Sequence, residues 1–279
     1  MKGHRPPTLA GALHIRGERE VLPVAGATDL MVGDPAVHEE VLFLDHLREL
    51  REITGTDHGM EIGAAATLSQ LSAAPAAPDA LKAVISEFAS PAIRNRATIA
   101  GNICNASPAA DLLPFLYLSD AHVVLARNAE DREIPVSQFV TGPGTTLLQP
   151  HELVTRVIIP SSSWDFTFYR KVASRRSNSL SKLSLQICAK CTSGRVERIA
   201  VAFGGVAPTV VRVPEIEQFF VHAGRKELAA IAAEAAASYG PLIVPIDDQR
   251  STARYRKHTA LALFRHAAGN LLARHLETP

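Results

Sequence analysis

Thr98-Ile99-Ala100-Gly101-Asn102-Ile103-Cys104-Asn105-Ala106-Ser107-Pro108-Ala109-Ala110-Asp111-Leu112-Leu113-Pro114 is the stretch that decides the reading of this chain. It is dense in small residues and short hydrogen-bonding side chains. Ala100 and Gly101 let a backbone come close to a ligand. Thr98, Asn102, Asn105 and Ser107 supply hydrogen-bonding groups around that point. Asp111 precedes an apolar run and reads as a helix N-cap, with Pro114 tolerated in the first turn. Two readings stay open at this level. One is an anion site built from amides and hydroxyls at a helix start. The other is a tight structural loop ahead of a buried helix.

A second stretch, Val24-Ala25-Gly26-Ala27-Thr28-Asp29-Leu30, follows the apolar pair Val21-Leu22 and again sets Gly between small residues. Two such loops, far apart in sequence, can clamp one extended anionic ligand such as a dinucleotide pyrophosphate. Together they resemble the two flavin-binding loops of the FAD-binding (medium) subunits of molybdenum hydroxylases, the xanthine dehydrogenase and carbon monoxide dehydrogenase group. The family form is approximately AGGTDL for the first loop and IRNxATIGGNIxxASPxxDLLP for the second. Ala27 and Ala100 stand where the family has Gly, and the rest of the second loop, from Ile93-Arg94-Asn95 to Pro114, fits closely. A match of that length is far more specific than a lone glycine pattern. Arg170–Arg176 and the turn Gly204–Thr209, ending at Arg212, are also family-like.

Composition sets the outer bounds. The chain has 279 residues, which makes two domains a fair expectation. It is 47% hydrophobic and 20% charged, with net charge +1, an ordinary balance with no general basic field, so nucleic acid is not the expected partner. No apolar run reaches the roughly 18 residues of a membrane span, and the start from Met1 to Leu13 lacks a signal-peptide core. Three cysteines make no disulfide framework, which suits the cytoplasm.

Along the chain, a short helix is expected before Leu13, shorter than the one the resemblance implies there. Strands are expected at Val21–Ala25, Val41–Asp45 and Met60–Ala64. Thr67-Leu68-Ser69-Gln70 has capping-box spacing. Asp79 is expected to cap a helix whose stripe is Leu81, Val84, Ile85 and Phe88, stopped at Ser90-Pro91. Leu112–Leu118 should be a helix, His122–Leu125 and Glu133–Val136 a strand pair, and Leu153–Ile159 a strand. Thr141–Thr145 reads as a turn. It lacks the ending of a phosphate loop, and no G-x-G-x-x-G follows a strand. Pro160–Ser163 looks like a linker. Beyond it, strands are expected near Phe166–Lys171, Leu183–Cys191 and Val196–Phe203. Helices follow at Pro214–Val221, Lys226–Tyr239 with Gly240 as the stop, and Thr252–Leu272, the last with the stripe Leu261, Phe264, Ala268, Leu271.

Other chemistry finds little support. Cys188 and Cys191 have C-x-x-C spacing, but a separation of three puts them on opposite faces of a strand, and there is no second pair. Cys104 reads as a small filler. The eleven histidines, His46, His58 and His122 among them, show no metal spacing, and no nucleophile elbow is present. No metal ligand and no catalytic residue is therefore nominated. Arg94 and Arg96 can steady phosphates or simply be solvated or ion-paired.

The resemblance implies the rest. The fold is α+β: an FAD-binding domain of the vanillyl-alcohol-oxidase (PCMH-type) class at residues 1–163, with subdomains of about 1–60 and 61–163. A small α/β domain of three antiparallel strands and helices, of the CO dehydrogenase flavoprotein type, follows at 164–279. The implied cofactor is FAD. The implied FAD-binding residues are Pro23, Val24, Ala25, Gly26, Ala27, Thr28, Asp29, Leu30, Phe88, Thr98, Ile99, Ala100, Gly101, Asn102, Ser107, Asp111, Val154 and Lys171. The Lys171 cation would favour the anionic reduced flavin. The implied activity is that of a xanthine dehydrogenase-like electron-transfer subunit. Its partners would be an iron–sulfur subunit and a molybdopterin subunit, and its acceptor NAD or another oxidant. Lys171–Lys182 and the apolar-to-basic surface of the second domain are where partner contacts are expected. The alternatives are a stand-alone FAD-dependent oxidoreductase and a non-catalytic assembly protein that has lost FAD through Ala27 and Ala100.

Overall fold

A computed structural model describes residues 2–32, 39–128, 130–175 and 178–277; Arg176, the last of the family-like Arg170–Arg176 segment, falls outside them. The chain forms two compact units, residues 1–107 with 119–161, and residues 108–118 with 162–279.

The first unit holds two sheets. Strands β1 (Lys2–His4), β2 (Leu22–Val24) and β3 (Glu40–Phe43) form a small parallel sheet in the order β1-β3-β2. The connection between β1 and β2 is the helix Leu9–Glu18, where the Thr8 hydroxyl accepts from the Gly11 amide. Strands β4 (Ile53–Thr56), β5 (Gly59–Gly63), β6 (His122–Arg127) and β7 (Glu130–Pro135) join an antiparallel sheet. A short hairpin, β8 (Val140–Gly142) with β9 (Thr145–Thr146), occupies the expected turn. Strand β10 (Leu153–Pro160) then returns to the centre of the large sheet, giving the order β4-β5-β10-β6-β7. Its Val157 lies opposite both Ile62 and Val123, and all three are fully buried, which explains the apolar run in its sequence.

Between β5 and β6 the chain makes short helices. Leu68–Ala73 starts in the expected capping box, with Thr67 and Gln70 satisfying each other's backbone amides. The helix Asp79–Ser86 corrects an expectation: Pro78 holds the cap position, and Asp79 is the first helical residue. Leu81, Val84 and Ile85 are fully buried, while Phe88 lies beyond the helix end and is only half-buried. Ser90 both ends this segment and caps the next helix, Pro91–Arg94.

The second unit is built on β11 (Phe166–Ala173), β12 (Ser181–Thr192) and β13 (Arg195–Gly204), antiparallel and in chain order. Leu183, Leu185, Ile187, Val201 and Phe203 form a core with the helices Leu228–Tyr239 and Ala253–Phe264. The rings of Phe203 and Tyr239, 5.0 Å apart, and of Tyr239 and Phe264, 5.2 Å apart, meet edge to face. The wholly buried helix Leu113–Leu118 belongs to this unit, with the Arg212 guanidinium donating to the Tyr117 carbonyl.

The helix expected over Thr252–Leu272 is interrupted. Thr252 caps Ala253–Phe264, a π-helical stretch covers Arg265–Leu271, and Leu272–His275 completes it. The wider turn shifts the apolar stripe, so Leu272 rather than Leu271 is fully buried beside Phe264 and Ala268. Cys188 is buried, whereas Cys191 packs on the helix-facing core of β12, on the opposite face. Among the described residues no three His, Cys, Asp or Glu side chains converge on a metal position, and no helix is long and apolar enough to cross a membrane.

Candidate functional site

The first small-residue loop and the second as far as Ser107 lie in the first unit, and the first loop packs on the residues that lead into the second. A Cβ on Gly26 would lie 2.1 Å from the Arg96 carbonyl oxygen and 3.1 Å from the Ala97 Cα. Only glycine lets the first loop lie against the residues that lead into the second. Ala27 follows with φ +58, a left-handed conformation that costs a residue bearing a Cβ roughly 1–2 kcal/mol. This is the backbone reason for a glycine at that place in the family form.

The second loop becomes the helix Ile99–Cys104, capped by the Thr98 hydroxyl, which accepts from the Gly101 amide at 3.2 Å. The Ile99 and Ala100 amides donate to the carbonyls of Ala66 and Ala64. These three N–H groups are thus committed inside the protein and form no amide cradle for an anion. The first loop differs: among the described residues the Gly26, Ala27, Thr28 and Asp29 amides have no hydrogen-bond partner. Successive unpaired amides around a left-handed residue are what an anion needs. The chain then closes with the Met31 amide on the Ala27 carbonyl and the Val32 amide on that of Asp29.

Next to these loops is a cavity of about 250 Å³ lined by Leu22, Pro23, Ala25, Leu44, Leu50, Ala64, Ala65, Ala100, Gly101, Cys104, Leu148, Leu153 and Val154. It brings together Pro23, Ala25, Ala100, Gly101 and Val154 of the residues singled out in the sequence. Val24 is buried in β2, Ile99 is fully buried under the loop, and Asp29 is exposed. Thr28, Leu30 and Ser107 are partly exposed. Phe88 is not among the lining residues; its carbonyl accepts from Arg94 at 2.7 Å. Arg96 is exposed, 3.8 Å from Asp45. Sequence reasoning passed over Ala64 and Ala65. The run of small residues between β5 and the capping box was their signal.

Two features bear on what fits there. Asn102 Oδ1 is buried with no hydrogen-bond partner among the described residues, an acceptor left for a donor from outside. Burial pushes the Cys104 thiol up to about 12, so it stays protonated at neutral pH and acts as an uncharged wall. An apolar cavity, unpaired amides and one orphan acceptor suit part of an extended dinucleotide: the volume lies just below the about 300–1,000 Å³ that bury a drug-sized ligand.

Asp111 and Lys171 lie in the second unit. The expected helix cap is replaced by an ion pair: Lys171 Nζ is 2.6 Å from Asp111 Oδ2, and the Ser181 hydroxyl donates to Oδ1 at 2.5 Å. Burial raises the Asp111 carboxyl above its ordinary value, against the Lys171 charge and the two hydrogen bonds.

Comparison with known proteins places the chain. The family model described as the FAD binding domain in molybdopterin dehydrogenase matches residues 1–162. The CO dehydrogenase flavoprotein C-terminal domain matches residues 168–271. The xanthine dehydrogenase FAD-binding subunit of Escherichia coli O157:H7 is 31% identical over 227 residues, 77% of each chain. The glyceraldehyde dehydrogenase medium chain of Sulfolobus acidocaldarius is 28% identical, covering 93% of this chain and 94% of that one. In fold, the chain is similar to a chain of reconstituted CO dehydrogenase from Oligotropha carboxidovorans, with TM-score 0.90 and 22% identity over 100% of this chain and 98% of that one. A PCMH-type FAD domain followed by a small sheet-and-helix domain is the architecture these share. With a family model covering more than half its length, the chain belongs to the FAD-binding subunits of the molybdenum hydroxylases, and its cofactor is FAD.

Proposed function

We propose that this chain carries electrons between an iron–sulfur subunit and an external acceptor, NAD or another oxidant, within a complex whose molybdopterin subunit oxidises the substrate. The reading is xanthine dehydrogenase-like, placed in the cytoplasm, with residues 1–163 holding the cofactor and 164–279 forming the second domain. The observation that carries it is the convergence of both loops on one cavity in the unit that the FAD-binding model matches.

Bound FAD supplies a group that takes electrons singly and releases them in pairs. The chain's residues bind and orient it. The amides of Gly26 to Asp29 are the donors available to the pyrophosphate. Gly101 and Ala100 give the cofactor a close approach, beside Pro23, Ala25 and Val154. Thr98 fixes the helix that carries them, and Asn102 accepts a hydrogen bond. Val24, Leu30, Ile99, Phe88 and Ser107 complete the set in the first unit, whereas Asp111 and Lys171, implied by the resemblance, are paired with each other within the second. Ala27 and Ala100 do not close the site. The first is accommodated in its left-handed turn, and the second lines a cavity that stays open.

Purification of the tagged chain from its native host tests the proposal. The expected result is a complex containing FAD, iron and molybdenum that reduces an acceptor. Recovery of the chain alone, with flavin but no metal-bearing partner, would favour a stand-alone oxidoreductase.

A further inference from the structure

Arg16 lies half-buried in the last turn of the helix Leu9–Glu18 and, among the described residues, forms no ion pair. Its guanidinium donates instead to two main-chain carbonyls, from Nη1 to that of Val21 and from Nε to that of Glu152, the second at 3.2 Å. Val21 and Glu152 are both buried. These carbonyls stand where two walls of the flavin cavity begin. Val21 leads into Leu22 and Pro23, Glu152 leads into Leu153 and Val154, and all four of these line the cavity. One planar side chain therefore spans two walls that are far apart in sequence.

A third piece of wall hangs on the same residue. Leu148 lines the cavity and also a neighbouring cleft of about 440 Å³, which Arg16 and His151 line as well, so Leu148 is the partition between the two spaces. Its loop is held at several points. His151, in left-handed backbone at φ +69, donates from Nδ1 to the Arg16 carbonyl at 2.9 Å. The Gln149 amide donates to the Glu152 carboxylate at 2.8 Å. Arg132 forks onto that carboxylate at 2.6 and 2.7 Å and also reaches the Leu147 carbonyl. The bonds from Arg132 and Gln149 tie the loop to its own sheet. Arg16 is what joins it to the strand β2 side, and that join fixes how far apart the walls stand.

We propose that Arg16 is a positioning residue for the cofactor: by bridging Val21 and Glu152 it sets the width of the FAD cavity and keeps Leu148 as its partition. It acts through the backbone of the walls. The geometry of the fork matters more than the charge, since a lysine is a point donor on a flexible stem and cannot hold both carbonyls in one fixed plane. The proposal rests on the reading that this cavity holds FAD.

The test uses the full chain loaded with FAD, as wild type, Arg16→Lys, Arg16→Met and Leu148→Ala. All are compared at saturating FAD, after circular dichroism has shown which are folded. FAD is expected to leave both Arg16 variants about tenfold faster than wild type or more, as the loss of a charged hydrogen bond implies. Quenching of the bound flavin's fluorescence by acrylamide, a neutral probe, should rise in the same variants. Leu148→Ala leaves the Arg16 bonds in place and removes only the partition, so it should raise quenching as well. Folded Arg16 variants with the wild-type release rate and quenching overturn the proposal. So does full rescue by lysine, which would show that charge alone is at work. Failure of both Arg16 variants to fold, with Leu148→Ala indistinguishable from wild type, would make Arg16 a structural staple and overturn it too. A wild-type chain that binds no FAD overturns the reading of the cavity itself, and the role of Arg16 with it.

Discussion

The Lys171 ammonium stands 2.6 Å from the Asp111 carboxylate, with both side chains almost wholly removed from water. Ser181 holds the other carboxylate oxygen. The lysine expected to act on the flavin as a lone cation is therefore already countered by an acid. Removing one partner of a buried pair costs about 3–5 kcal/mol, because the other charge is left uncompensated.

Lys171→Met should destabilise the chain by about 3 kcal/mol, partly relieved by protonation of Asp111. Adding Asp111→Asn should recover much of the loss. The pH dependence separates this from simple loss of packing. Without the ammonium, the folded pKa of Asp111 rises further above its unfolded value. The variant's stability is then fullest below the unfolded pKa and falls as pH rises through the folded one, and the double variant loses that slope. Denaturant titrations from pH 4 to pH 8 check it; a single variant within about 0.5 kcal/mol of wild type, roughly the range of surface substitutions, would mean that the pair carries no stability.

Ala27 has φ +58, so Ala27→Gly should stabilise the protein. The gain from relieved strain, roughly 1–2 kcal/mol, exceeds the roughly 0.5–1 kcal/mol that glycine's unfolded-state freedom removes. Thermal melting should rise by a few degrees with FAD content unchanged. A lower melting temperature would mean that the turn is not strained.

Asp248 accepts from Arg256 at 2.6 Å and from Arg250, and these bonds hold its carboxyl well below the usual range. A depressed folded pKa stabilises the protein above the unfolded value of about 4, and that stability is lost as pH falls through the folded value. Asp248→Asn should therefore be less stable than wild type at pH 7, with the gap narrowing as pH falls below about 4, read from urea midpoints at pH 7 and pH 3. Parallel curves would show that Asp248 is not acid-linked.

Much of the fold was legible because its signals are local. The Thr67-Gln70 box, the stripe through Leu81, Val84 and Ile85, and the apolar strands β5, β10, β12 and β13 all follow from residue type and spacing. What escaped depends on tertiary context. The π-helical stretch at Arg265–Leu271 leaves no mark on a stripe whose early members still fit. Asp111 had the position of a cap, but Lys171, sixty residues away, claims its carboxylate. The loops were found by their small residues. Which loop still offers amides depends on Ala64 and Ala66, whose carbonyls occupy Ala100 and Ile99. The cavity wall from Leu44, Leu50 and Leu148 looked like ordinary core in sequence.

Gly101 is exposed, lines the cavity and follows the Thr98 cap. A Cβ there would meet only the Thr98 hydroxyl, at 2.8 Å, so Gly101→Val weakens a cap worth about 1 kcal/mol and leaves the fold in place. The same branched side chain blocks close approach to the loop. The measurement is an FAD titration of flavin-stripped wild-type and Gly101→Val chains, followed by flavin absorbance after gel filtration. The expected result is near-stoichiometric FAD on the wild-type chain and none retained by the folded variant. Equal FAD retention by both would remove this loop from the site, and a wild-type chain that takes up no flavin would contradict the account as a whole.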